Sequence, residues 1–187
     1  MTRTLSNVMG TIAWSYIILF FDINVGSRVN LLPDWAAYMM ILDCLPHIAE
    51  KQRSAALLKN FIIFLGATDA LKWLLKIFGI SFKLYFASIF VTVIYVYTHF
   101  QLLTNLADIA AEQNRLYRKT IANGRNVALV AYTVTIVVNQ FLPLTFIVYA
   151  AAAVNIMAQI YLAYQLFLFS AELEDEENCT VLENMEV

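Results

Sequence analysis

Charge is what this sequence has least of. Only 14% of its 187 residues are Asp, Glu, Lys or Arg, while 61% are hydrophobic, against about 25% and about 45–50% in a soluble domain. Its mean hydropathy is +0.67. Too few polar side chains are present to cover a water-soluble globule, which excludes a soluble enzyme, a nucleic-acid binder and a disordered chain. Glycine is scarce as well: the five are scattered singly and build no phosphate-binding loop. The two cysteines, Cys44 in an apolar stretch and Cys179 near the end, form neither a disulfide framework nor a CxxC pair. GxSxG, Walker A and HExxH motifs are all missing. The expectation is a chain with no enzymatic activity, no cofactor and no bound metal, whose surroundings are a lipid bilayer.

What the sequence has in quantity is uncharged length. A helix rises 1.5 Å per residue, so a hydrocarbon core of about 30 Å takes about 20 residues. Thr4 to Phe21 supplies 18 uncharged residues, Leu84 to Ala107 supplies 24, and Asn126 to Ala171 supplies 46. The last run is enough for two helices, and Asn139, Gln140 and Pro143 mark the break, since proline suits the first turn of a new helix. This predicts spans over about Val127–Phe141 and Leu144–Phe169. Two further apolar stretches carry charges: Trp35–Ala49, with Asp43, Pro46 and His47, and Leu57–Phe78, with Lys59, Asp69, Lys72 and Lys76. The predicted fold is an all-α polytopic transmembrane bundle of six spans, with five spans plus a re-entrant hairpin as the alternative. The loop over 105–120 is read as a polar-leaning extension of the fourth span, with Gly124 as its break.

Charge is divided unevenly along the chain. Residues 1–171 hold twelve bases and seven acids, whereas residues 172–187 hold seven acids and no base. The chain therefore divides into a transmembrane domain over 1–171 and an acidic tail over 172–187, which is expected to be disordered, solvated and dispensable for folding. A protein partner for the tail is the second candidate reading, and docking of the tail on Arg115, Arg118 and Lys119 a third. The first apolar run lacks a small-x-small cleavage site and reads as a retained span.

Phe20 to Tyr38, FFDINVGSRVNLLPDWAAY, is the most informative stretch. Asp34 stands before an apolar helix in the position of an N-cap, and Gly26 permits a bend. The segment reads as a structured outer turn, or alternatively as a partial re-entrant segment with Asp22 and Asn24 facing a polar pocket. Asp22, Ile23, Asn24, Gly26, Leu32, Pro33, Asp34, Trp35 and Tyr38 form a DINxG…LPDW…Y pattern. It resembles the signature of a family of small uncharacterised integral membrane proteins of Firmicutes-type bacteria. The resemblance spans about 17 residues and implies a bacterial plasma-membrane protein. It implies no activity.

Ionisable residues inside spans are costly and usually face the protein interior. Asp69 is the most deeply embedded, and Lys72, three residues on, falls on the same helical face. Asp22, Asn24, Asp69 and Lys72 make a candidate polar pathway. Asp43 and His47, four residues apart, share a face, and His99 lies on the fourth span. Counting residues from the inner span ends brings all three within roughly 5 Å of one depth, a candidate inner polar cluster for a proton relay or a metal. Structural histidines at the interface are the plainer alternative. Asn155 and Gln159 mark a packing face of the last span. The first functional expectation is a non-enzymatic component or interaction partner of the plasma membrane. The alternative is a small transporter or channel-like protein for an ion or small solute, which a polar cavity reaching Asp69 would favour.

Topology is the first testable consequence. With both termini cytoplasmic, eight bases fall inside and four outside, the arrangement that the positive-inside rule prefers. A reporter active only in the cytoplasm is expected to be active after Val187 and silent between Gly79 and Lys83. The opposite pair of readings reverses the topology.

Overall fold

In a bilayer no water is available to satisfy the peptide groups, so an apolar chain closes its hydrogen bonds within helices. The computed structural model contains six of them: α1 (Leu5–Phe20), α2 (Asp34–Lys51), α3 (Lys59–Ile77), α4 (Tyr85–Gln113), α5 (Arg115–Phe141) and α6 (Thr145–Met185). It describes residues 4–20, 24–25, 29–30, 33–80, 85–113, 115–142 and 144–185. By length and composition, four helical segments suffice to cross a membrane: 53–77, 88–113, 116–141 and 145–175. α1 is apolar but shorter. The chain is thus an all-α bundle with the makings of a multi-pass membrane protein.

The connections follow local chemistry. β1 (Asn24–Val25) and β2 (Val29–Asn30) pair antiparallel, Asn24 opposite Asn30 and Val25 opposite Val29. The stretch read as an outer turn or a re-entrant segment therefore carries a short β-ribbon. Pro33, with extended backbone, caps α2, and Asp34 is its first helical residue rather than the expected cap. There its carboxylate complements the helix dipole. α2 continues through Pro46 to Lys51, and a short 3-10 helix (Arg53–Leu58) leads into α3. α3 ends on Gly79, whose φ of +71° favours glycine. The Ile80 N–H bonds Leu75 O at 2.9 Å and the Gly79 N–H bonds Lys76 O at 3.1 Å, the paired bonds of a Schellman end.

Two expectations about helix limits are corrected. The extension after the fourth span is α4 itself, which runs to Gln113, and α5 begins at Arg115 instead of near Val127. Gly124 is not a break. It lies inside α5, where a Cβ would stand 3.2 Å from Leu162 Cδ1 and 3.7 Å from Leu162 Cα; its missing side chain lets α5 and α6 approach closely.

The helices form a ring in which each packs on its chain neighbours, and α1 closes the circuit against α6. Ser6 Oγ donates to Ser170 O and Ser170 Oγ donates to Ser6 O, both at 2.9 Å. Gly10, one turn after Ser6, keeps the two backbones close, because a Cβ there would meet Ser170 Oγ at 3.1 Å. The seam between α3 and α4 is the loosest in the ring and is bridged by the ring pairs Phe61–Tyr97 and Phe64–Phe90. Packing is densest toward the chain termini, where Met9, Ile12, Ile48, Leu106 and Phe169 are fully buried. Leucines, valines and phenylalanines stand exposed around the outside, as a lipid-facing surface requires.

The acidic tail differs from the expected disordered segment. α6 continues as helix through it to Met185. Leu173 is buried, Tyr117 Oη donates to Glu172 Oε2 at 3.0 Å, and the Ser6 N–H donates to Glu177 Oε1 at 3.4 Å. The start of the tail is thus docked on α1 and α5. Truncation after Ser170 is expected to lower the melting temperature, reversing the expectation of a dispensable tail. Leu173→Ala alone should cost about 2 kcal/mol or more, as removal of a buried leucine side chain does. Thermal unfolding of the purified protein measures both; an unchanged melting curve for the truncated chain would restore the solvated tail.

Candidate functional site

Helices that pack tightly at one end of a ring and diverge at the other leave a space between them. Here it is a cavity of about 260 Å³, in the half of the bundle away from the termini. All six helices line it. α1 contributes Leu19 and Phe20, α2 contributes Asp34 and Tyr38, and α3 contributes Leu65, Asp69 and Lys72. Val91 and Tyr95 come from α4, Tyr132 from α5, and Asn155, Ile156 and Gln159 from α6. The volume falls just below the roughly 300–1,000 Å³ usual for ligand pockets, which suits a solute smaller than a drug molecule.

The polar groups in the cavity are fixed by their own helices. Lys72 Nζ donates to Asp69 Oδ1 at 2.8 Å, with the Lys72 side chain 61% exposed and that of Asp69 18%. The lysine therefore reaches in from the surface while the carboxylate stays inside. Gln159 Nε2 donates to Asn155 Oδ1 at 3.2 Å and to Ala128 O at 3.4 Å. The i, i+4 spacing of Asn155 and Gln159 sets both on one face of α6. Tyr95 and Tyr132 stack with ring centroids 4.3 Å apart, forming an aromatic wall between α4 and α5.

Beneath this wall lies His99, 1% exposed. Its Nδ1 shares a 2.9 Å hydrogen bond with Tyr16 Oη, and its ring is flanked by Tyr95 at 4.2 Å and Tyr38 at 6.0 Å. His99 Nε2 has no hydrogen-bond partner among the described residues. Tyr16, Tyr38, Tyr95 and His99 together separate the cavity from the packed end of the bundle.

The expected site residues fare unequally. Asp69 and Lys72 meet as the candidate pathway proposed and reach the cavity. Asp22 lies outside the described residues, as does the side chain of Asn24. The inner cluster does not assemble. His99 sits at the level of Tyr38, and His47 is nine residues further along α2, roughly 13 Å away along the axis. Asp43 lies on the exposed side of α2, and His47 is half-buried. The reason is the length of α4: because it runs from Tyr85 to Gln113, His99 is at its midpoint rather than near its inner end. Among the described residues no group of three His, Cys, Asp or Glu side chains is placed to hold a metal ion.

Sequence reasoning missed the tyrosines and saw Asp34 only as a cap. One signal was available: Tyr95 and His99 are four apart, on one face of α4. Tyr38, Tyr95 and Tyr132 otherwise resemble tyrosines that face outward on the same helices, such as Tyr97 on α4. Comparison with family models, curated proteins and solved structures finds no match to this chain.

The buried pair yields a prediction. Tyr16→Phe removes the hydroxyl and leaves His99 with no partner at either ring nitrogen. The expected loss is about 1–3 kcal/mol, the cost of an unsatisfied buried polar group. Tyr16→Phe combined with His99→Leu should be less destabilised than Tyr16→Phe alone, since no polar atom is then stranded. Melting temperatures of the two variants in detergent decide it; equal losses would mean that the hydrogen bond contributes nothing.

Proposed function

We propose that this chain is a multi-pass plasma-membrane carrier that binds a small polar solute in the cavity of the helical ring and passes it across the bilayer without chemical change. The observation that carries this reading is the position of Asp69 inside a polar cavity lined by all six helices. An intramembrane carboxylate is costly unless it is paired or put to use. The Lys72 contact offsets part of that cost, but it does not account for a cavity around the pair.

Three further features support transport over the alternatives. The cavity is backed by a packed core rather than continued as a pore, which favours a carrier that must rearrange over an open channel. The loose seam between α3 and α4, beside Asp69 and Tyr95, is where such a rearrangement meets least resistance. No serine, cysteine or histidine is among the lining residues, which favours binding over nucleophilic catalysis. With both termini cytoplasmic, as the distribution of bases favours, the cavity opens toward the outside.

A second reading has its own support. A helical tail with Glu174 and Asp175 exposed suits a basic protein partner on the side of the termini, with the bundle serving as its membrane anchor.

Reconstitution into proteoliposomes separates the two. Uptake of a small polar solute is expected for the wild type and should be lost in Asp69→Asn. Asp69→Asn with Lys72→Met should remain as stable as the wild type to within about 1 kcal/mol, because neither charge is left without its partner, and should still carry nothing. Uptake that is unaffected by Asp69→Asn removes the cavity from the pathway and returns the membrane-anchor reading to first place.

A further inference from the structure

The lining charges limit which solute the cavity accepts, provided that it is a carrier site as proposed above. Asp34 and Asp69 contribute two carboxylates, and Lys72 is the one base among the lining residues. With the Lys72 ammonium already on Asp69, the walls carry a formal charge of −1. A monocation brings the filled cavity to neutrality. A zwitterion or a neutral solute leaves the surplus charge unchanged, and an anion doubles it. In a setting of low dielectric, uncompensated charge is the dominant cost.

The uncharged polar groups point the same way. Both printed bonds of Gln159 use its amide nitrogen as donor, so its carbonyl oxygen is the end left to receive a ligand. Tyr38, Tyr95 and Tyr132 add electron-rich rings, and ring faces attract cations and most of all alkylammonium groups. A bare metal ion would call for a compact shell of oxygen ligands, whereas this lining spreads its carboxylates on α2 and α3 among three aromatic rings.

We propose that the cavity binds a small organic ammonium ion, recognised by the surplus carboxylate charge of Asp34 and Asp69 and by the rings of Tyr38, Tyr95 and Tyr132. Lys72 sets the affinity, because it supplies half of the positive charge that the two carboxylates can accommodate. The carboxylate and lysine substitutions should therefore act in opposite directions.

The experiment uses the full-length protein in nanodiscs with radiolabelled methylammonium and tetramethylammonium as probes. Glycine, acetate and glycerol serve as zwitterionic, anionic and neutral counterparts, each also offered for uptake in proteoliposomes. At least one ammonium probe is expected to bind saturably, without competition from the other three. Asp34→Asn should weaken that binding about tenfold or more, the scale of a lost charge-assisted contact. Lys72→Met should tighten it about threefold, the scale of an exposed ion pair removed. Should Asp34→Asn fail to fold, Asp34→Glu keeps the charge and should keep the affinity, and Lys72→Met tests the sign alone. Binding or uptake of glycine, acetate or glycerol in preference to both ammonium ions overturns the cation assignment and leaves the carrier reading intact. If none of the five is bound or carried, both fall. Weaker ammonium binding in Lys72→Met overturns the charge argument even if ammonium is bound.

Discussion

Closure of the ring between its first and last helices is the constraint on which the rest of the structure depends. α1 and α6 stand 164 residues apart at their serine contact, and each serine hydroxyl satisfies the other's backbone carbonyl. In lipid the hydrophobic effect does not drive helices together, so close packing and hydrogen bonds must. The small residues Ser6 and Gly10 supply the first on α1, and the reciprocal bonds supply the second. Once α1 is fixed against α6, α2 and α5 are held on either side, and the end of the bundle near the termini fills with apolar side chains. The opposite end has no equivalent clamp, and the cavity lies there.

Polar groups are arranged to match this gradient. Where the helices are tight, the one buried imidazole is tied to Tyr16 and enclosed by aromatic rings. Where they diverge, carboxylates, amides and a lysine share a space that a solute can enter. Dense packing and solute binding thus occupy different halves of the same six helices, so a change in the cavity need not unpack the core. Tyr38 and Tyr95 belong to both halves, lining the cavity while packing against His99. Any message between the site and the core passes through them.

The legibility of the chain follows from what a bilayer makes obvious. Uncharged runs located six helices, and the paired spacing of Asp69 and Lys72 located one edge of the cavity. Helix ends outside the bilayer were harder, because polar helix and polar loop have similar composition. Residues 105–124 read as a loop with a glycine break, yet they form the end of α4 and the start of α5. That error displaced His99 from the middle of its helix to its end and created an apparent meeting with His47. The tyrosine wall was hidden for another reason: a tyrosine facing a cavity and one facing lipid headgroups sit equally well in an apolar run. Only the ring closure, a contact between residues at opposite ends of the chain, tells which helical face turns inward.

The length of α6 has a mechanical consequence. From Gln159 in the cavity wall to Met185 at its end, this single helix runs 26 residues, about 39 Å at 1.5 Å per residue. A rod of that length pivoting near Gln159 moves its tip by about 0.7 Å for each degree of tilt. Small adjustments of α6 around an occupied cavity are therefore magnified into displacements of several ångströms at the acidic end, on the far side of the membrane. The tail acts as a pointer whose deflection reports the state of the cavity.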